Sequence, residues 1–462
     1  MRILKKIMKW AGIVLGGLII AVIVVHIILD IVFGAELRQT LRELKAQGVP
    51  LTIAEFAPPS VPDAENAAPL IKEAVEMIPA RTNSAPSALK NLEDIVYANS
   101  SNKFASDITG WTEAQREEGA KLVQSEEVKA WYALLEKAAR RPHFNNNLDW
   151  SQGPGMQLPN LGRYRALVRI LAVKATFEGQ DGNTNQALAT ILAGLKLSNK
   201  LSEEPTIITQ LVRVACDLLL MEELERLAAA ADIPAAQTRE LIAELALHTD
   251  ATPWSKSMAG ERVGMGMWVY DRLMRASLHE ACGVFGDEEP RIWAPIVVVF
   301  RPILKKDFVI YLNLMSEQQR RFELPYYQIA GDLKQNPTEK QIPRYALLSR
   351  LLVPNFDKVH GKVATHQAEV EICRVGLALK LFKQKSGAYP DALDQLAPEF
   401  LESVPVDPCT GKSLVYRKAG EGFLLYSLGP DQKDNDGKPK SRISLPAGQT
   451  EEEYDIVWKC GR

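Results

Sequence analysis

The chain has 462 residues, with 55 Lys+Arg against 57 Asp+Glu, 46% hydrophobic and 24% charged residues. At roughly 150 residues per domain this length suggests about three units. Near-neutral charge and ordinary polarity exclude a basic nucleic-acid binder, a wholly disordered chain and a polytopic transporter.

From Ala11 to Leu29 the run AGIVLGGLIIAVIVVHIIL carries no formal charge. It is long enough to cross a hydrocarbon core as one helix. Arg2, Lys5, Lys6 and Lys9 precede it without an acidic residue, so the positive-inside bias predicts a cytoplasmic stub (1–10), a membrane span (11–29) and an exported remainder. The alternative is a cleaved signal peptide with Gly34 and Ala35 at the cleavage site. His26 and Asp30 lie near the outer end, close enough to the interface to reach water.

Residues 30–66 read as a stalk and a Pro-rich strap, with prolines at 50, 58, 59 and 62 that disfavour helix before them. Residues 67–330 read as an exported helical domain, since no run there alternates with period two. Its best-defined pair is Arg163 to Glu178 and Thr184 to Leu201, joined by a Gly-rich turn. Ala175, Ala187, Ile191 and Gly194 fall where one tetratricopeptide repeat wants small and large residues, leaving a generic helical hairpin or a repeat array as alternatives. Trp293 to Phe300 (WAPIVVVF) is apolar but too short to span a bilayer, and is read as core.

Residues 331–355 look like a linker to a last domain, 356–462. That domain opens with a long helix from about Phe356 to Lys385, stopped at Ser386-Gly387-Ala388-Tyr389-Pro390. Asp391 is expected to cap a short helix, DALDQLAP. Leu414 to Arg417 and Phe423 to Ser427 then form a hairpin around Ala419 to Gly422.

The ordered pieces KQKSGAYPDALDQL, VPVDPCTGKSLVYR, GFLLYSLGPDQKDNDG and YDIVW resemble the C-terminal region of the major pseudopilin of type II secretion systems. The tail is also similar to that of a group of membrane-anchored bacterial envelope proteins with helical middles. The resemblance covers roughly 356–462 and implies a long helix followed by a small antiparallel sheet. It further implies calcium bound by the loop after LYSLG, with Asp431 and Asp455 as matching ligands. Asp434 and Asp436 join on local chemistry, as alternating carboxylates suited to a hard cation, and Leu428 offers its carbonyl. The chain lacks the prepilin cleavage signal.

Five cysteines show no CxxC spacing, so no metal framework is visible. Cys409 and Cys460, both in the turn-rich tail, are the candidate disulfide if the domain is exported, the alternative being two unpaired thiols. Familiar catalytic signatures are absent, and His360 and His366, six apart on a helix, point to different faces. The expected architecture is mainly α: one transmembrane helix, an exported α-helical domain and a C-terminal α+β domain. The expected role is non-enzymatic scaffolding of unidentified envelope proteins in the inner membrane, without nucleic acid or a small-molecule substrate. The alternatives are a relative of a secretion or pilus machine and an extracytoplasmic hydrolase with an unrecognised site.

Overall fold

The computed structural model describes residues 2–79, 87–98, 108–275, 300–353, 355–439 and 454–458. The chain is mainly helical with a small sheet near its C-terminus. Helix α1 runs from Arg2 to Ala46 without a break. Its large apolar residues from Ile7 to Val32 are exposed, whereas Leu37 and Leu44 are buried. The stalk is therefore no separate element. It continues the apolar helix into the body, because Leu37, Leu41 and Leu44 recur at helical spacing on one face. In the strap a single turn, α2 (Ile53–Phe56), is held by a capping box between Thr52 and Glu55.

The middle of the chain forms α3 (Ala68–Glu76), α4 (Ala88–Ala98), α5 (Glu113–Val123), α6 (Glu126–Ala139), α7 (Leu161–Gln180), α8 (Thr184–Lys200), α9 (Ile207–Ala230) and α10 (Ala235–Leu247). Side chains of Thr112, Ser125, Asn160 and Thr206 accept backbone N–H groups at the starts of α5, α6, α7 and α9, each satisfying a donor that has no intrahelical partner. The expected α7–α8 pair is present, turning at Gly182 (φ 77°). Ala175, Ala187, Ile191 and Gly194 are buried in it. A Cβ on Gly194 would stand 2.7 Å from Leu220, so this glycine lets α9 approach α8.

Next come α11 (Thr252–Ala259), a π-helical stretch Gly260–Met267 and α12 (Trp268–Arg275), then α13 (Arg301–Phe322). Of WAPIVVVF only Phe300 is among the described residues, and it is 48% exposed, so the described end of this run is not core. Residues 331–355, read as a linker, instead carry the end of α14 (Tyr326–Gln335), α15 (Thr338–Gln341) and α16 (Leu347–Leu352). Ile342, Ala346 and Val353 are buried in a core, which is why this polar, Pro-containing stretch is not a free connection.

Helix α17 runs from Phe356 to Ser386, capped by Asn355 and ended at Gly387 (φ 80°), a left-handed C-cap that glycine adopts at little cost. The expected helix after Asp391 is only a 3-10 turn, Leu393–Leu396. The Asp391 carboxylate meets Lys418 at 2.8 Å instead of capping it. Strands β1 (Val415–Ala419), β2 (Gly422–Ser427) and β3 (Ile456–Val457) form an antiparallel sheet in that order. Val415 pairs with Tyr426 and Tyr426 with Val457.

Two apolar cores result. One joins α3 to α10 with the later part of α17 and the sheet; the other joins α1, α11, α12, α13 and the start of α17. Phe356, Val359 and Val363 lie in the second core and Ala364 to Leu381 in the first. The long helix is thus a beam shared by both cores rather than the opening of a detached domain.

Candidate functional site: a groove along α17

The acidic loop after β2 is organised by hydrogen bonds within the chain. Asp455, 1% exposed, accepts the backbone N–H of Gly437 at 2.8 Å and of Asn435 at 3.1 Å. Asp434 accepts the Tyr426 hydroxyl at 3.0 Å and the Asp436 N–H at 2.9 Å. Asp436 itself, at φ 60°, pairs with Arg417 at 2.9 Å. Asp431 accepts the Lys433 N–H through Oδ1, and its buried Oδ2 has no hydrogen-bond partner among the described residues. Leu428 donates its N–H to Asp407 at 3.3 Å. The Asp455 carboxyl is raised by burial, against the two backbone N–H donors, with Asp434 and Asp431 pushing it further up. As oriented, the five residues do not make one coordination shell, and no group of three or more His, Cys, Asp or Glu among the described residues is arranged to hold a metal ion.

Beside this loop stands Asp407, which the sequence reading passed over. It is 1% exposed and accepts from the Cys409 N–H (2.8 Å), the Thr410 hydroxyl (3.0 Å), the Ser427 hydroxyl (2.8 Å) and the Leu428 N–H. An aspartate before proline in VDPCTG is a turn former through its side chain, and that was the available signal. The turn is completed by Gly411 (φ 71°), on whose bare Cα the Tyr327 ring lies; a Cβ there would stand 2.9 Å from it. Cys409 is a buried free thiol, 3.8 Å from the Ala364 carbonyl, and Cys460 lies outside the described residues.

This turn forms one wall of a groove of about 490 Å³. Its floor is one face of α17, with His360, Val363, Ala364, Gln367, Glu371 and Arg374 at helical spacing. The start of α14, which touches that turn through Tyr327, also lines the groove, and there Tyr326 donates its hydroxyl to the Pro430 carbonyl at 3.3 Å. Burial raises that phenol to about 12. From His360 to Arg374 the floor is about 21 Å long at ~1.5 Å per helical residue. Tyr327 and Val406, both groove-lining, are 37% and 53% exposed. Most of the charged groups are engaged: Glu371 with Arg374 at 2.6 Å, Glu323 with Ser255 at 2.9 Å, and Arg321 with Glu317 and Asp332; Glu402, also lining the groove, is exposed. Glu371 is raised by burial, against the charge of Arg374.

Directly behind the floor lies a buried cluster that sequence reasoning missed. Asp217 of α9 receives His248 Nδ1 at 2.9 Å and His366 Nε2 at 2.8 Å on the same oxygen. All three are at most 1% exposed. Gln367, next to His366, reaches the Thr249 carbonyl at 2.9 Å and so connects the cluster to the groove. Burial alone would push His248 down, but the charge and hydrogen bond of Asp217, with Glu244, outweigh it and hold the imidazole at about 9. His366 is lowered by burial, only partly offset by Asp217. The Asp217 carboxyl, which burial would raise, is held far below its ordinary value by both histidines. Arg213 is fully buried alongside and lowered by burial, against Asp217 and Asp250. Its guanidinium nitrogens have no hydrogen-bond partner among the described residues.

With no solvent access, this cluster cannot meet a substrate, and its chemistry is to hold three helices together. His360 points elsewhere, to Gln318 at 3.1 Å, in keeping with the different faces expected of the two α17 histidines. No family model, curated protein or solved structure matches this chain.

Proposed function

We propose that the protein is a single-pass, membrane-anchored envelope protein that binds an extended segment of a partner protein in the groove along α17, without catalysing a reaction. The observation that carries this reading is the groove itself. It is open, partly apolar at Tyr327 and Val406, and its floor charges Glu371 and Arg374 pair with each other, so it offers shape and a few polar contacts rather than a reagent. At ~3.3 Å per extended residue, its floor accommodates about six residues of a strand-like segment. The anchor is supported by α1, whose large apolar residues between Trp10 and Ile28 are exposed, and its orientation by the basic residues before the apolar run.

A photo-crosslinking residue at position 327 and another at 406, each in the full-length protein in its native membrane, should trap one and the same partner. Gln367→Arg, at the half-buried floor, should abolish both adducts, and a probe at the exposed Lys129 should trap none. Adducts that differ between 327 and 406, or that survive Gln367→Arg, would overturn the groove as the binding site.

The chain carries a long helix followed by a three-stranded sheet. A second reading keeps calcium as a ligand of the acidic loop. It is favoured by Asp431, whose Oδ2 is buried without a partner among the described residues, and by the crowding of Asp431 and Asp434 on the raised Asp455. Calcium should then raise the unfolding midpoint of the full-length protein over that in chelator, and Asp431→Ala should remove the rise. An unchanged midpoint would rule this reading out.

A further inference from the structure

Helix α1 and the segment just after it are fastened to α13 at points that follow the same order along both. Lys305 meets Asp30 at 2.6 Å, Lys306 meets Glu36 at 2.5 Å, and Arg262 bridges the Gln319 side chain (2.7 Å) and the Pro50 carbonyl (3.2 Å). As α1 leaves its exposed apolar half, α13 therefore runs alongside it in the same direction. The reverse direction is excluded, since α13 would then cover the apolar half of α1, whose residues are exposed.

This register fixes the height of the lower end of α13. Lys305 lies beside Asp30 and Gly34, while Ile31 and Val32 are still 63% and 52% exposed. Phe300 precedes Lys305 by five residues, about 7.5 Å at ~1.5 Å per residue. It is thus level with Ile27 and Ile28, which are 52% and 53% exposed. Phe300 is an exposed aromatic at the height of an exposed apolar helix surface. The neighbouring cation is engaged within the protein, because Arg301 donates to the Met274 carbonyl at 2.8 Å. Lys305 is neutralised by Asp30 where charged groups reach the headgroups.

We infer that the lower end of α13, through Phe300, enters the outer leaflet of the same bilayer that α1 spans, giving the protein a second membrane contact. The inference rests on the reading of α1 as a membrane span. The body is then seated on the lipid surface in one orientation, fixed by two points rather than swivelling on one. An aromatic ring suits this position, since such side chains favour the interfacial layer.

The test uses the full-length protein in phospholipid vesicles, with a fluorescent non-canonical amino acid at position 300, at Val24 or at Leu247, the last an exposed position of the body (55%). Quenching is compared between lipids brominated on their acyl chains and aqueous iodide. The expected result is that positions 300 and 24 lose fluorescence to brominated lipid and resist iodide, while 247 does the reverse. If 24 reports lipid but 300 reports water, the second contact is overturned and the anchor stands. If 24 itself reports water, the anchor and the second contact fall together.

Discussion

Two buried carboxylates, Asp407 and Asp217, solve the same problem in different ways. Asp407 collects its donors from Cys409, Thr410, Ser427 and Leu428, at most 21 residues away, and both of its oxygens are used. Asp217 collects His248 from 31 residues away and His366 from 149, and its Oδ1 has no partner among the described residues. The first shapes a turn and the groove wall beside it; the second holds α9, α10 and α17 in one junction. A local hydrogen-bond network can form wherever its segment forms, whereas the long-range one exists only in the completed fold. The loss of Asp217 is therefore a loss of tertiary structure, and the loss of Asp407 a loss of local shape.

Asp217→Asn should have the largest effect, because it leaves the charged His248 buried without its counter-ion. A loss of about 3–5 kcal/mol is expected, read as a lowered urea midpoint of the full-length protein. Asp407→Ala should cost less, about 1–3 kcal/mol, yet it should abolish crosslinking at position 406, which Asp217→Asn should spare in whatever protein remains folded. Equal stability losses with equal crosslinking would erase the distinction between the two carboxylates.

Acid should act through the α17 histidines. Burial, with the charge of Arg321, lowers His360 to about 3, so it is neutral when folded but protonated when unfolded below its ordinary value of 6.5. The unfolded state then binds more protons, and stability falls as pH falls below 6.5. For His360 the loss is about 2 kcal/mol at pH 5, and His366, also lowered, adds in the same direction. His248 acts oppositely: raised to about 9, its contribution is complete below 6.5 and lost as pH rises through 9. A pH series of unfolding midpoints should fall on both sides, and His360→Gln should flatten only the acid limb.

Gly411→Ala forces a side chain into a left-handed conformation against the Tyr327 ring, and about 1–2 kcal/mol is expected from the backbone alone. The smallest effect belongs to Arg417→Ala, whose ion pair with Asp436 is exposed on both sides; no change in the unfolding midpoint is expected.

Elements with local signals were legible in the sequence. The stop at Gly387, the turn at Gly420 (φ 59°) and the α7–α8 turn at Gly182 each follow from a glycine where the backbone needs positive φ. The continuity of α1 was also written there, in Leu37, Leu41 and Leu44, but the change from an all-apolar to a one-faced pattern at Glu36 concealed it. The acidic loop was located correctly, yet its side chains turn to Arg417, Tyr426 and nearby N–H groups, and neither charge nor spacing reveals which. The groove was not legible, since Thr249, Tyr327, Gln367 and Val406 come from four separate stretches. The Asp217 junction has no sequence motif at all.

The long separation within that junction also sets a clock. His366 follows Asp217 by 149 residues, and at roughly 5–20 residues per second of synthesis it emerges some seven to thirty seconds later. During that interval Asp217 and Arg213 lack a helix that later seals them from water. A chain truncated before α17 keeps them in that unfinished state, so its defect is visible from outside as misplaced charge. The junction thus distinguishes a chain that carries α17 from one that lacks it, and that helix closes both cores.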